Sequence, residues 1–134
     1  MTLGQDDVAQ SYGRCCNSEG FFDDFYDAFL KSSPKIAPMF AKTDMAKQKQ
    51  LLRSGISMLL MYSKGGNIIS EKTMERLGAS HSRNGYNVTP DLYPFWVKSL
   101  LETIKKHDKK FSPELEAAWK QELNKGISYL CSKY

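Results

Sequence analysis

Apolar residues in this chain recur at steps of three and four, and nowhere do they alternate with polar ones over the length of a strand, which confines the fold to helices. The periodicity predicts a short first helix from Asp6 to Cys15, with Val8, Tyr12 and Cys15 or Cys16 on one side. Asn17-Ser18 can cap a second helix running to about Ser32, whose Phe22, Phe25, Phe29 and Leu30 make a wide apolar face. Ser33-Pro34, a cap followed by proline, starts a short helix carrying Ile36, Met39 and Phe40. Asp44 caps a long one in which Leu51, Leu52, Ile56, Leu59 and Leu60 face inward, and Gly65-Gly66-Asn67 stops it. Ser70 opens a helix to about Ser82 that places Met74, Leu77 and His81 on one side. Thr89-Pro90 and Ser112-Pro113 repeat the cap-and-proline signal for two final helices. The first carries Leu92, Trp96 and Leu100, the second Leu115, Trp119, Leu123, Ile127 and Leu130. Seven helices of uneven length do not read as an up-down four-helix bundle.

With 134 residues and neither repeats nor linkers, residues 1–134 read as one domain. A chain of this length can bury about two thirds of its unfolded surface. The net charge of +4 is scattered. Its densest run, Lys105 to Lys110, reads as a solvated helix end and turn. No aromatic residues interleave there, which argues against a nucleic-acid or membrane surface. The acidic, polar N-terminus does not resemble a signal peptide, and no apolar window is long enough to span a membrane. Three cysteines, two of them adjacent as Cys15-Cys16, suggest no disulfide framework and point to a reducing cytoplasm.

The segment Phe25-Tyr26-Asp27-Ala28-Phe29 to Pro34 and Phe40 resembles the second and third helices of bacterial single-domain globins and of flavohaemoglobin globin domains. Those proteins share the Phe-Tyr pair and the same spacing to a phenylalanine, a proline and a second phenylalanine. Thr43 to Leu52 is similar to the start of their distal helix. Leu77-Gly78-Ala79-Ser80-His81, followed by Val88, Pro90 and Tyr93, is similar to their proximal histidine helix and the entry to the next one. The stretch from His81 to Pro90 is longer than in typical flavohaemoglobins, so the resemblance assigns no role to Tyr93. It implies an all-α globin fold, a three-over-three helical sandwich. Gly65-Gly66 resembles a glycine motif of truncated haemoglobins, but the other glycine pair of that family is missing and the proximal helix is full length.

The resemblance further implies haem b (iron protoporphyrin IX), with His81 as the iron ligand. Tyr26 and Gln48 match the polar distal pair, where dioxygen, NO or CO would bind. Phe40 matches the phenylalanine on the haem face and Leu52 the apolar distal residue; Phe29, Leu77, Val88 and Trp96 are further candidates to line the cofactor. The residues themselves leave more open. A histidine on an apolar face is more often a core residue, Tyr26 alone reads as a core aromatic, and Gln48 or Gln50 alone as an exposed helix position. Gln48 is preferred because Leu52 follows it by one turn, whereas Gln50 lies about 200° round the helix. His107, among lysines, reads as wet and leaves His81 as the ligand. The ligand ring should give its other N–H to an acceptor one turn earlier, with Leu77 the candidate. Arg83 is a candidate to reach a haem propionate.

A phenol and an amide can both donate to a gas that has drawn charge from the iron. Three functions remain. The first is non-enzymatic oxygen binding, for transport, storage or sensing, with a separate signalling partner in the last case. The second is a nitric oxide dioxygenase served by a separate reductase. The third is a haem-free globin-fold signalling domain, against which His81 and its polar counterparts argue.

Overall fold

The computed structural model describes residues 3–65 and 68–134. It holds six α-helices and two short 3-10 turns among those residues, and no strand. The helices are α1 (Gln5–Cys16), α2 (Phe21–Ser32), α3 (Met45–Lys64), α4 (Ile68–His81), α5 (Tyr93–His107) and α6 (Pro113–Ser132). None is long and apolar enough to cross a membrane.

Local chemistry sets most of the boundaries. Asp7 reaches back to the Gly4 N–H at 2.9 Å, and with Asp6 it places negative charge in the first turn of α1, where the helix dipole favours it. The Asp44 carboxylate accepts from Lys47 N–H at the head of α3, and the Ser112 hydroxyl from Leu115 N–H at the head of α6. At the end of α3, Gly65 takes φ +75° as it closes on the Tyr62 carbonyl, a conformation that favours glycine. Gly66 and Asn67, the rest of the expected stop signal, lie outside the described residues.

Several expected boundaries move. Asn17 and Ser18 do not cap α2; their N–H groups close α1 onto Gly13 and Cys15, and α2 begins after Gly20, whose φ is +81°. Ser33-Pro34 opens a turn instead of a helix. The only regular piece between α2 and α3 is the 3-10 segment Ala37–Phe40. Thr89-Pro90 likewise leads into a 3-10 turn, Pro90–Leu92, and α4 starts at Ile68, ahead of Ser70. Leu51 was expected to face inward, but it is 56% exposed. Its neighbour Leu52 takes the inward direction, and adjacent helical positions lie about 100° apart.

The helices pack as two trios. α1, α3 and α4 are neighbours on one side, and α2, α5 and α6 on the other. The trios cross where α3 and α4 lie on α6, α1 lies on α5 and α6, and α2 meets α3. This is the three-over-three arrangement that the resemblance implies. Phe21, Phe25, Ile56, Met74, Leu100, Ile104, Trp119 and Leu123 fill the space between them and are almost wholly buried. At Gly126 a Cβ would collide with the Leu59 side chain, so α3 and α6 approach closely because that position has none.

The lysine-rich end of α5 differs most from expectation. Lys105, Lys106, Lys109 and Lys110 are exposed, but Asp108 is 2% exposed. Its carboxylate accepts from Ser11 Oγ at 2.6 Å, Arg14 Nε at 2.6 Å, Arg14 Nη2 at 3.0 Å and Lys110 N–H at 3.0 Å. Trp119 Nε1 donates to Ser11 Oγ at 3.0 Å, completing a polar cluster that joins α1, the α5–α6 turn and α6. Burial acts to raise the Asp108 carboxyl, but Arg14, Ser11 and the Lys110 N–H outweigh it and hold it below the usual carboxylate range. His107 is not wet either. It sits 2.6 Å from Ser18 Oγ through Nδ1 and 2.6 Å from Asp24 Oδ2 through Nε2, edge-on to Phe21.

Candidate functional site

Tyr26 lies on the buried stripe of α2 that also carries Phe25 and Phe29, and is 3% exposed. Its ring packs on Phe40 at 5.9 Å and on Phe29 at 6.5 Å between centroids, and those two phenylalanines meet at 6.1 Å. Into this apolar setting α3 delivers a single amide: Gln48 Nε2 donates to Tyr26 Oη at 3.1 Å. Gln50, two positions on, is exposed, and Leu52, one turn after Gln48, is buried. An ion pair beside them, Lys49 Nζ to Asp23 Oδ1 at 2.7 Å, runs between the same two helices. Both partners are partly exposed, so the pair adds little to stability.

The direction of the Gln48 bond decides what the phenol can do. The phenol oxygen accepts, so its own proton is left over, and no acceptor for it stands among the described residues. Burial pushes the Tyr26 phenol above its ordinary value, opposed more weakly by Gln48, so at neutral pH the proton stays on. A buried donor without an acceptor is rare in a folded protein and calls for an explanation.

His81 closes α4. Its Nδ1 lies 2.9 Å from the Leu77 carbonyl oxygen, which can only accept, so Nδ1 carries the proton. Ser80 Oγ, itself donating to Leu77 O at 2.9 Å, lies 3.0 Å from the same nitrogen and shares that proton. The sequence expectation of a Leu77 acceptor is therefore met. Ser80 was not anticipated, although a hydroxyl beside the histidine was the available signal. Nε2 is thus the unprotonated nitrogen, and no hydrogen-bond partner for it stands among the described residues. Burial lowers the His81 pKa, more strongly than the Leu77 carbonyl raises it, so the ring is neutral at pH 7, the form that binds metals.

The other candidate lining residues are placed as follows. Leu77 and Val88 are half-buried against the core, and Val88 N–H donates to the His81 carbonyl at 3.0 Å. Trp96 meets Phe25 edge-on at 6.0 Å, one residue from Tyr26. Direct contacts unite Tyr26, Gln48, Phe29 and Phe40 in one group, and Leu77, His81 and Val88 in another. The Arg83 guanidinium lies 4.7 Å over the Tyr134 ring. A groove of about 930 Å³ between α5 and α6, lined by Tyr93, Val97, Leu101, Phe111 and Ile127, contains none of the candidate gas-site residues. No group of three or more His, Cys, Asp or Glu side chains able to hold a bare metal ion occurs among the described residues, and the three thiols are free.

Comparison with known proteins identifies the family. The family model for globins matches residues 23–130, from the start of the Tyr26 helix almost to the end of α6. The chain is also similar to a protein of Pseudomonas aeruginosa PAO1, known from its crystal structure and described as structurally highly homologous to a human haemoglobin. The two are 47% identical, the match covers 97% of each chain, and the TM-score is 0.93. The chain belongs to the globin family.

Proposed function

We propose that this globin is one domain, residues 1–134, that holds haem b through His81 Nε2. It reversibly binds dioxygen, and also NO and CO, against Tyr26 and Gln48, and serves oxygen binding, transport, storage or sensing in the cytoplasm. The observation that carries this reading is the Tyr26 phenol: buried, protonated, and with its proton given to no protein group.

The residues present fit the group. His81 offers an unprotonated nitrogen whose ring is held from behind by Leu77 and Ser80, the arrangement that fixes tautomer and direction in a ligating histidine. Phe29, Phe40 and Leu52 supply apolar surface around the polar pair, as a largely hydrophobic cofactor requires. When bound, haem supplies a ferrous iron that takes a diatomic gas. The remaining work falls to the side chains. Gln48 donates to the phenol oxygen, which leaves the phenol hydrogen to be donated elsewhere. Tyr26 would donate that hydrogen to a gas carrying partial negative charge. Such a hydrogen bond is worth about 1.5–3 kcal/mol, or roughly 10- to 150-fold in affinity. Dioxygen gains more from it than carbon monoxide, which draws less charge.

The test is the absorption spectrum of the purified protein beside His81→Ala, as isolated, then reduced and exposed to carbon monoxide. A Soret band that shifts with the gas, and that His81→Ala loses or alters, is expected. Failure of the wild-type chain to take up haem after reconstitution would overturn the reading and leave a haem-free globin fold.

A further inference from the structure

The loop after His81 is held more elaborately than a connection between two helices requires. Its backbone folds back on the last turn of α4: Tyr86 N–H donates to Ser80 O at 2.7 Å, Asn87 N–H to Ser82 O at 2.9 Å and Val88 N–H to His81 O at 3.0 Å. Gly85 lies so close to the Ser80 carbonyl that a Cβ there would collide with it. Asn87 takes φ +54°, the only non-glycine residue among those described with positive φ, a conformation asparagine tolerates better than most. The Tyr86 ring stands edge-on to the His81 imidazole at 6.5 Å.

The same loop is gripped from outside by one residue beyond α6. The Tyr134 hydroxyl donates to Asn87 Oδ1, the Arg83 guanidinium covers the Tyr134 ring at 4.7 Å, and Arg83 N–H donates to the Tyr134 carbonyl at 3.5 Å. The last turns of α6 also rest on α4: around Gly78, Lys133 Cβ and the Tyr129 ring stand where a Cβ would meet them at 3.4 Å. Arg83 and Asn87 are exposed, and Tyr134 is half-buried against them.

We propose that Tyr134 is a positioning residue for His81: with Arg83 and Asn87 it clamps the 82–89 loop onto the end of α4 and so fixes the direction of the imidazole. The role toward iron rests on the haem-binding reading above. Of the two loop residues that Tyr134 grips, Asn87 is joined by a backbone hydrogen bond to Ser82, and its neighbours Tyr86 and Val88 are joined to Ser80 and His81, so slack at Asn87 reaches the histidine without passing through the core.

The test compares wild type with Tyr134→Ala, which removes ring and hydroxyl, and Tyr134→Phe, which keeps the stack on Arg83. In the haem-free protein, amide exchange at Tyr86, Asn87 and Val88 should quicken about fivefold in Tyr134→Phe, the worth of one hydrogen bond, and further in Tyr134→Ala. In the reduced, gas-free holoprotein, the iron–histidine stretching band should shift or broaden in Tyr134→Ala and do so less in Tyr134→Phe. The carbon monoxide stretching band, which reads the Tyr26 side, should stay in place. Unchanged exchange in Tyr134→Ala overturns the clamp. Faster exchange with an unmoved iron–histidine band overturns the positioning role and leaves a loop anchor. A wild-type chain that takes up no haem overturns the gas-binding reading and the role toward iron with it, while the exchange data still report on the clamp.

Discussion

Two buried polar clusters in this molecule are built from similar parts and finished differently. Around Asp108, a carboxylate, a guanidinium, a hydroxyl and an indole satisfy one another, and every Asp108 oxygen has a donor. Around Tyr26, an amide and a phenol satisfy one another only in part, and one proton is left over. A closed cluster of this kind ties elements together, because opening it strands several buried groups at once. An open one costs the fold something and is retained where a ligand supplies the missing partner. The contrast separates the part of this globin that holds it together from the part that we propose meets the gas.

The largest effect that would test the contrast is on the closed side. Asp108→Asn should lower unfolding stability by about 3 kcal/mol, the lower end for breaking a buried pair because Arg14 is 31% exposed. Urea unfolding measures it, and gas binding should be unaffected. The same variant should change the acid limb. The Asp108 carboxyl is held below its unfolded value, so its contribution is present above about pH 4 and is lost as the pH falls through the folded value. Wild type should therefore lose stability steeply in that window and Asp108→Asn less so. Equal acid slopes would remove Asp108 from the account.

Next in size is Tyr26→Phe. The ring keeps its contacts with Phe29 and Phe40, so the thermal midpoint should barely move. Dioxygen release, followed by stopped flow, should quicken by about tenfold or more, one charge-assisted hydrogen bond. A large loss of stability with an unchanged release rate would make Tyr26 another closed-cluster residue and erase the distinction.

The smallest effect separates the two glutamines. Gln48→Ala should quicken release about fivefold, on the order of one neutral hydrogen bond, and Gln50→Ala should leave it unchanged, since that side chain is exposed. Equal effects from both would show that the amide does not act through the phenol.

What could be read from the sequence follows the range of the interactions. Asp44, Ser112-Pro113 and the apolar stripes of α3 and α6 act over a few residues, and their helices lie where the pattern puts them. The Leu77 acceptor was legible for the same reason, being one turn from His81. His107 and Asp108 read as solvated from their lysine neighbours, because their partners, Ser18, Asp24, Ser11 and Arg14, lie 83 to 97 positions away along the chain. The Tyr134 contacts with Arg83 and Asn87 escaped for that reason too. Ser33-Pro34 misled in the opposite way: the cap-and-proline signal is local and present, but Ser33 Oγ accepts from Lys35 N–H inside a turn, and no helix grows from it.

The capture of His107 between Ser18 and Asp24 also bears on coordination. Both of its ring nitrogens are engaged at 2.6 Å, so the folded chain has a single imidazole to give. A low-spin, six-coordinate spectrum of the bis-imidazole type would have no source within one native molecule. If such a spectrum appeared in an ageing sample, it would mark partial unfolding or a second molecule lending its histidine, and its growth would serve as an internal gauge of sample integrity.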